Sequence, residues 1–404
     1  MKQPLGRAFA NLFGASLASN LGDGIVRMAT TLLAARLTDD ALLIGGIGAM
    51  AMLPWLLFAV PSGIVVDRID RRVALATAQA VRVMLTALLL WLTGTGTLTI
   101  WWLYGIVLVY GTFETLYDGA SRAIPPSIVP TAGLPRANGY LEAGEQVTQQ
   151  FLAGPLTSAL FAVSVLIPVG INGVCFLAAG VLALLLPRAA SGRQHAPTDQ
   201  PSAPWYRQFT DGWRFIVGNR MLVTLWVVSS VLGFCTSYAT ASEVLYLLGP
   251  VGVPEAMIGL VTMSGAVGGM AGATLADRCK RWLGFGPAVL TGALVASVGI
   301  ALMGVIPNPW TVVAGIMLSS LGITLWNVLV VSLRQAVIPG NLLGRVHGTW
   351  RTVLWGTTTL ASVLGGLVGR VDLALPLLTG GAVGLALALV MNRFLRGLPS
   401  PEDV

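Results

Sequence analysis

Three sets of polar residues interrupt otherwise apolar stretches at helical spacing. Asn20, Asp23 and Arg27 fall at i, i+3 and i+7, Glu114, Asp118 and Arg122 at i, i+4 and i+8, and Glu142, Glu145 and Gln149 at i, i+3 and i+7, so each set shares one helix face. A charge inside a membrane span costs at least ~2.5–3.5 kcal/mol on insertion scales, so it must face a cavity or a partner. Burial disfavours an ionised carboxylate and a nearby arginine favours it. A carboxylate whose arginine partner shifts with conformation can therefore load a proton on one side and release it on the other. Glu114, two turns from Arg122 and too far along its own helix to pair with it, is the first candidate for that task, followed by Asp23 and Asp118. The alternative is that Asp23–Arg27 and Asp118–Arg122 are static intrahelical ion pairs. Arg82 either neutralises one of these acids or snorkels to the inner interface. Asn20, Arg27, Glu142, Glu145 and Gln149, with Tyr238 and Asn327 from the second half, are candidates for lining a substrate cavity. Glu142 and Glu145 can equally be solvated charges at its inner mouth.

The elements that must hold these groups are membrane helices. The chain is 55% hydrophobic and 10% charged, with 49 glycines in 404 residues, which excludes an ordinary soluble domain. Apolar runs bounded by charge, proline or glycine predict about twelve spans. The first is expected to be retained, since no short signal pattern with a cleavage site precedes it. Cys175, Cys235 and Cys279 have no paired spacing, so neither a disulfide framework nor a metal site is expected. The net charge of +7 reads as an orientation signal rather than a nucleic-acid footprint. Lysine and arginine gather in alternate loops, with Arg36 and Arg370 on the opposite side, which predicts that both termini are cytoplasmic.

The expected organisation is a six-helix half over 1–186, a cytoplasmic linker over 187–219 and a second six-helix half over 220–404. In the linker, Trp205, Phe209 and Trp213 recur every four residues opposite Arg207, Asp211 and Arg214. This piece lies flat in the interface or is a plain tether. The halves repeat: Asp67-Arg68 returns as Asp277-Arg278, and Pro130, Leu134, Arg136 and Gly139 return at nearly the same offset as Pro339, Leu343, Arg345 and Gly348.

The stretch Gly63–Arg72 packs five charges between two apolar segments and reads as a tight cytoplasmic turn. Its glycine, three apolar residues, Asp67-Arg68 and paired Arg71-Arg72 resemble the signature between helices 2 and 3 of the major facilitator superfamily. That resemblance covers essentially the whole chain. It implies an all-α polytopic membrane protein with twelve transmembrane helices in two pseudo-symmetric halves. By the same resemblance Gly63, Asp67, Arg68, Arg71, Arg72 and Arg122 form a conformational latch, with Asp67 meeting the start of helix 11 and Arg122 of helix 4. Asp70 stands where the family's loop usually has a glycine. Leu21-Gly22-Asp23-Gly24, Leu53-Pro54-Trp55, Pro125–Pro130 and Leu343-Gly344-Arg345-Val346 resemble the branch of the enterobactin exporter and the actinobacterial tetracycline-aminoglycoside efflux pumps. Gly154-Pro155 fits the core of an antiporter motif in helix 5, with Gln150 and Ser158-Ala159 in place of its flanking glycines. A proline there also simply bends the helix.

The resulting expectation is a secondary transporter in the cytoplasmic membrane, acting as a monomer on a small-molecule substrate and protons, without cofactor or metal. Export of an amphipathic molecule leads, and excess carboxylate in the first half favours a cationic or neutral one. Proton-coupled import of a nutrient is the alternative. A membrane enzyme is disfavoured because the only histidines, His195 and His347, fall in the linker and a loop with no acid placed beside them. The absence of a Gly-rich loop ending in Gly-Lys-Ser/Thr excludes an ATP-driven pump.

Overall fold

The computed structural model describes residues 5–191, 205–340 and 342–403. His195 lies outside them, as do the side chains of Gly63, Asp67, Arg68, Trp205 and Arg207. Among the described residues all regular structure is helical. The first helices are α1 (Gly6–Leu37), α2 (Ala41–Arg68), α3 (Arg71–Gly94), α4 (Ile100–Ala123) and the single turn α5 (Pro125–Ile128). Then come α6 (Leu134–Glu145), a π-helical stretch Gln146–Leu152, α7 (Ala153–Val163) and α8 (Leu166–Leu184). The amphipathic α9 (Trp205–Gly218) precedes α10 (Arg220–Thr240), α11 (Glu243–Leu248), α12 (Glu255–Leu283) and α13 (Phe285–Val305). The chain closes with α14 (Pro309–Val337), α15 (Leu343–Gly369), α16 (Leu375–Val390) and the short α17 (Asn392–Arg396).

Eight of these helices are long and apolar enough to cross a membrane. α1 and α4 are not among the eight. They carry Asn20, Asp23, Arg27, Glu114 and Asp118, so the polar groups that dilute their hydropathy are the same ones that mark them for function. Side chains at the joints start the helices. The Asp70 carboxylate accepts the Arg72 N–H at 2.9 Å, and Asn219 and Asn308 cap α10 and α14 in the same manner.

Three local expectations change. The charged stretch is not a loop from Gly63 to Arg72: α2 continues to Arg68, and the turn shrinks to Ile69 and Asp70, where the Asp70 cap restarts the chain as α3. Asp70 stands in for the turn glycine by capping α3. His347 lies in the first turns of α15 rather than in a loop.

By Cα proximity the chain forms two compact units, Met1–Thr38 with Met50–Pro201 and Glu255–Gly259, and Asp39–Ala49 with Ser202–Pro254 and Leu260–Val404. The first unit therefore includes the opening residues of α12, and the second the opening residues of α2. Within the second, α9 is not a free tether. Asp211 meets Arg345 at 3.0 Å, Thr349 Oγ1 donates to the Phe209 carbonyl at 3.2 Å, and Trp213 packs edge-on against Trp226. Small residues bring α13 and α14 together: a Cβ on Gly299 or Gly322 would run into the opposing backbone.

Candidate functional site

The core of the first unit holds a buried ion pair that the i, i+4 rule does not reveal. Asp23 of α1 faces Arg82 of α3 at 3.4 Å, with side chains 6% and 0% exposed. Neither the pairing of Asp23 with Arg27 nor snorkelling of Arg82 occurs: Arg82 is held inside the helix cluster, with its guanidinium 5.1 Å from the Phe176 ring centroid and 5.4 Å from that of Tyr117. Around the pair, Gln79 Nε2 and Arg82 Nη1 both donate to Ser19 Oγ, at 2.8 and 3.2 Å. A second layer follows one turn on. Thr86 and Tyr110 donate to Asn172 Oδ1, and Asn172 Nδ2 donates to the Gly22 carbonyl at 2.6 Å. Asp23 Oδ1, Arg82 Nε and Nη2, and Gln79 Oε1 are buried without a hydrogen-bond partner. Ser19 bridges the pair, its Oγ donating to Asp23 Oδ2 at 3.5 Å while accepting from Arg82, but the facing atoms of the two ions themselves lack a directed hydrogen bond. Buried networks left partly unsatisfied are costly, which suits a switch better than a strut.

Gln79, Arg82 and Thr86 repeat the i, i+3, i+7 spacing on α3, and that was the signal available in the sequence for this network. Gly22 and Gly24 let it close. A Cβ on Gly22 would lie 2.7 Å from Phe176 Cε1 of α8, and one on Gly24 would strike the Cβ of Ala153 and sit 3.1 Å from Gln149 Cα.

One turn away from Asp23 on the same face of α1 lies a cavity of about 280 Å³ lined by Asn20, Asp118, Arg122, Glu142 and Glu145, among others. Arg122 meets Asp118 at 3.3 Å and Glu145 at 3.5 Å. Three carboxylates and one guanidinium therefore line the cavity, two of the acids in contact with the arginine, which leaves the lining net negative. Gln149 Nε2, from the π-helical stretch, donates to Asn20 Oδ1 at 2.6 Å. Asn20 therefore touches the cavity one turn from Asp23, and Ser19, beside it in sequence, bonds Arg82. Glu114 meets Arg27 at 3.8 Å, and its charge is also felt by Asp23 and Arg82. Tyr238 and Asn327 belong to the second unit. The Tyr238 hydroxyl pairs with Thr379 at 3.1 Å, and Asn327 is exposed on α14.

The wide π-helical turn comes just before Gly154-Pro155, where proline has no N–H to continue the ladder. Beyond it, Gly154 packs against Gly259 so closely that a Cβ on Gly259 would collide with the Gly154 carbonyl. Ser158, in place of a motif glycine, accepts the Gly259 N–H and donates to the Ala256 carbonyl, each at 3.1 Å. Beside this contact Arg36 clasps Glu255 with two hydrogen bonds of 2.9 and 2.7 Å. The second unit holds the opening of α2 in a matching way, with Arg370 bidentate on Asp40 at 2.7 and 2.6 Å and Gly45 against the Ser362 backbone.

Residues 12–357 match the sequence profile of the Major Facilitator Superfamily. The chain belongs to this superfamily. It is a multi-pass membrane protein and a secondary transporter rather than an enzyme. Solved superfamily-like folds are similar over their full length. The nucleoside transporter NupG shares 12% identity at a TM-score of 0.75, covering 96% of this chain and 99% of that one. A bacterial homologue of the iron transporter ferroportin, in an inward-facing state, shares 18% at 0.77, covering 97% and 100%. A bacterial homologue of the human lysosomal transporter Spinster shares 14% at 0.68, covering 98% and 95%. At these identities the likeness is one of fold. No curated protein matches. Of the superfamily's loop signature, Arg71 donates to the Ala123 carbonyl at 2.8 Å and Arg72 to the Leu186 carbonyl at 3.0 Å, tying the start of α3 to the ends of α4 and α8. The Asp67 and Arg68 side chains lie outside the described residues.

Proposed function

We propose that this transporter exports amphipathic organic molecules, cationic or neutral, in exchange for protons, by alternating access in the cytoplasmic membrane with both termini inside. The observation that carries this reading is the continuity between the buried Asp23–Arg82 pair and the acidic cavity through one face of α1. Protonating Asp23 removes the counter-charge of Arg82, whose Nη1 also bonds Ser19. The strain is then relieved by movement of α1, which carries Asn20 and its Gln149 partner at the cavity wall. Proton and substrate thereby act on one helix. Asp23 replaces Glu114 as the leading proton carrier, because Glu114 meets a partner, Arg27, that is 57% exposed. Asp118 serves with Glu142 and Glu145 in attracting cations. The likeness to drug exporters supports the direction: Leu21-Gly22-Asp23-Gly24 supplies both the acid and the glycines that let it be buried, and Gly154-Pro155 sits at a backbone-to-backbone contact. Arg122, the proposed latch partner of Asp67, is engaged by Asp118 and Glu145, which ties the latch to the cavity lining.

The test is efflux of a panel of dyes and antibiotics from cells expressing wild type, Asp23→Asn or Glu114→Gln, with and without a protonophore. Export by wild type that the protonophore and Asp23→Asn abolish, at equal expression, supports the reading. Inward accumulation of labelled nutrients with no efflux of any panel compound replaces it with proton-coupled import.

A further inference from the structure

We propose that the second unit carries an anion site of its own at the start of α15, which takes the phosphate of an acidic lipid headgroup or of a soluble phosphate. The argument begins with Arg334, in the last turn of α14. It is 7% exposed, and its Nε is buried without a hydrogen-bond partner. Among the described residues no carboxylate lies within ion-pair distance of it. Its guanidinium rests only on the Trp350 ring, 4.3 Å from the centroid. Asp211, the acid that meets the first turn of α15, is taken by Arg345. A buried guanidinium normally has a counter-charge, because desolvation without one is expensive.

The surroundings supply what an anion needs. Arg334 lines a cavity of about 270 Å³ together with Gln335, Gly344 and His347. α15, 27 residues long, begins at that cavity, and among the described residues no side chain caps it. Its first-turn N–H groups and the positive end of its dipole are therefore available to an acceptor. Gly344 is exposed, and a Cβ there would have no atom within 4 Å, so the backbone can be approached directly. A planar guanidinium fork beside free helix N–H groups matches the oxygens of a phosphate better than a single carboxylate. This inference does not depend on the direction of transport or on proton coupling.

The test uses the full chain in phosphatidylcholine nanodiscs at fixed ionic strength, following the thermal midpoint as either phosphatidylglycerol or inorganic phosphate is added. Wild type should be stabilised saturably. Phosphatidylglycerol alone acting identifies a lipid site, and phosphate acting as well identifies a site open to soluble phosphate. Arg334→Gln should weaken the response at least about tenfold, the worth of one hydrogen bond to a charged group. Arg278→Gln, an exposed arginine elsewhere on the second unit, should leave it unchanged. Should Arg334→Gln fail to fold, Gly344→Leu, whose side chain enters open space, blocks the approach instead. A wild type that neither additive stabilises, or an Arg334→Gln or Gly344→Leu response equal to that of wild type, overturns the proposal.

Discussion

Arg82 and Arg334 are both buried guanidiniums resting on aromatic rings, one in each unit, and they differ in their counter-charge. Arg82 has Asp23 at 3.4 Å and donates to Ser19. Arg334 has neither an acid nor a hydrogen bond among the described residues. A pair enclosed within one unit can be uncoupled only by moving a proton, whereas an unpaired cation at a helix start can be neutralised only by something arriving from outside. The same residue type therefore does two jobs, set by what the neighbouring helix presents.

The comparison breaks most visibly at Arg82. Arg82→Gln strands the Asp23 carboxylate, and breaking one partner of a buried pair costs about 3–5 kcal/mol. Both thermal stability and transport should fall sharply. The double variant Asp23→Asn with Arg82→Gln should recover most of the stability, measured by thermal unfolding in detergent, but none of the proton dependence. Recovery of both would make the pair a strut. Arg334→Gln, in contrast, should unfold at the same temperature as wild type or higher in the absence of phosphate, because it removes a cation that has no partner.

A second contrast concerns glycines. Gly24 is crowded by Ala153 and Gln149, while Gly139 has open space around it. Gly24→Val should cost about 1–3 kcal/mol by overpacking and should reduce transport by displacing Gln149 from Asn20. Gly139→Ala should be nearly silent in both thermal unfolding and efflux assays.

The smallest expected effects lie at the helix joints. Burial pushes the Asp70 carboxyl up, but the hydrogen bonds from the Arg72 side chain and backbone outweigh it and hold the group below the usual carboxylate range. Asp40 is held down by its hydrogen bonds from Arg370. An acid whose folded value is depressed stabilises the fold above its unfolded value, about 3.9, and that stabilisation is lost as pH falls through the lower folded value. Asp70→Asn should therefore be slightly less stable than wild type at pH 7 and should flatten the loss of stability below about pH 4. An unchanged acid limb would mean that Asp70 contributes only shape.

Much of this was written in the sequence. Apolar run length pointed to the helices, and of the residues expected to line a cavity Asn20, Glu142 and Glu145 lie along one, while Asp118 and Arg122, expected in other roles, join them there. The Asp118–Arg122 pairing is local and therefore readable from i, i+4 spacing. Cross-helix register is not local. Nothing in the spacing of α1 says that Asp23 turns toward α3 while Arg27 turns toward Glu114 of α4. Nor does an arginine at the end of an apolar helix announce that it lacks an acid, since that depends on what α15 brings near it.

The central claim is that Asp23 carries the proton. Everted membrane vesicles with an acidified lumen separate proton-driven accumulation from simple exchange of a fluorescent organic cation such as ethidium. Wild type should accumulate the dye and lose it on addition of a protonophore, while Asp23→Asn should still exchange dye across the membrane without accumulating it. Accumulation by Asp23→Asn equal to that of wild type would contradict the account.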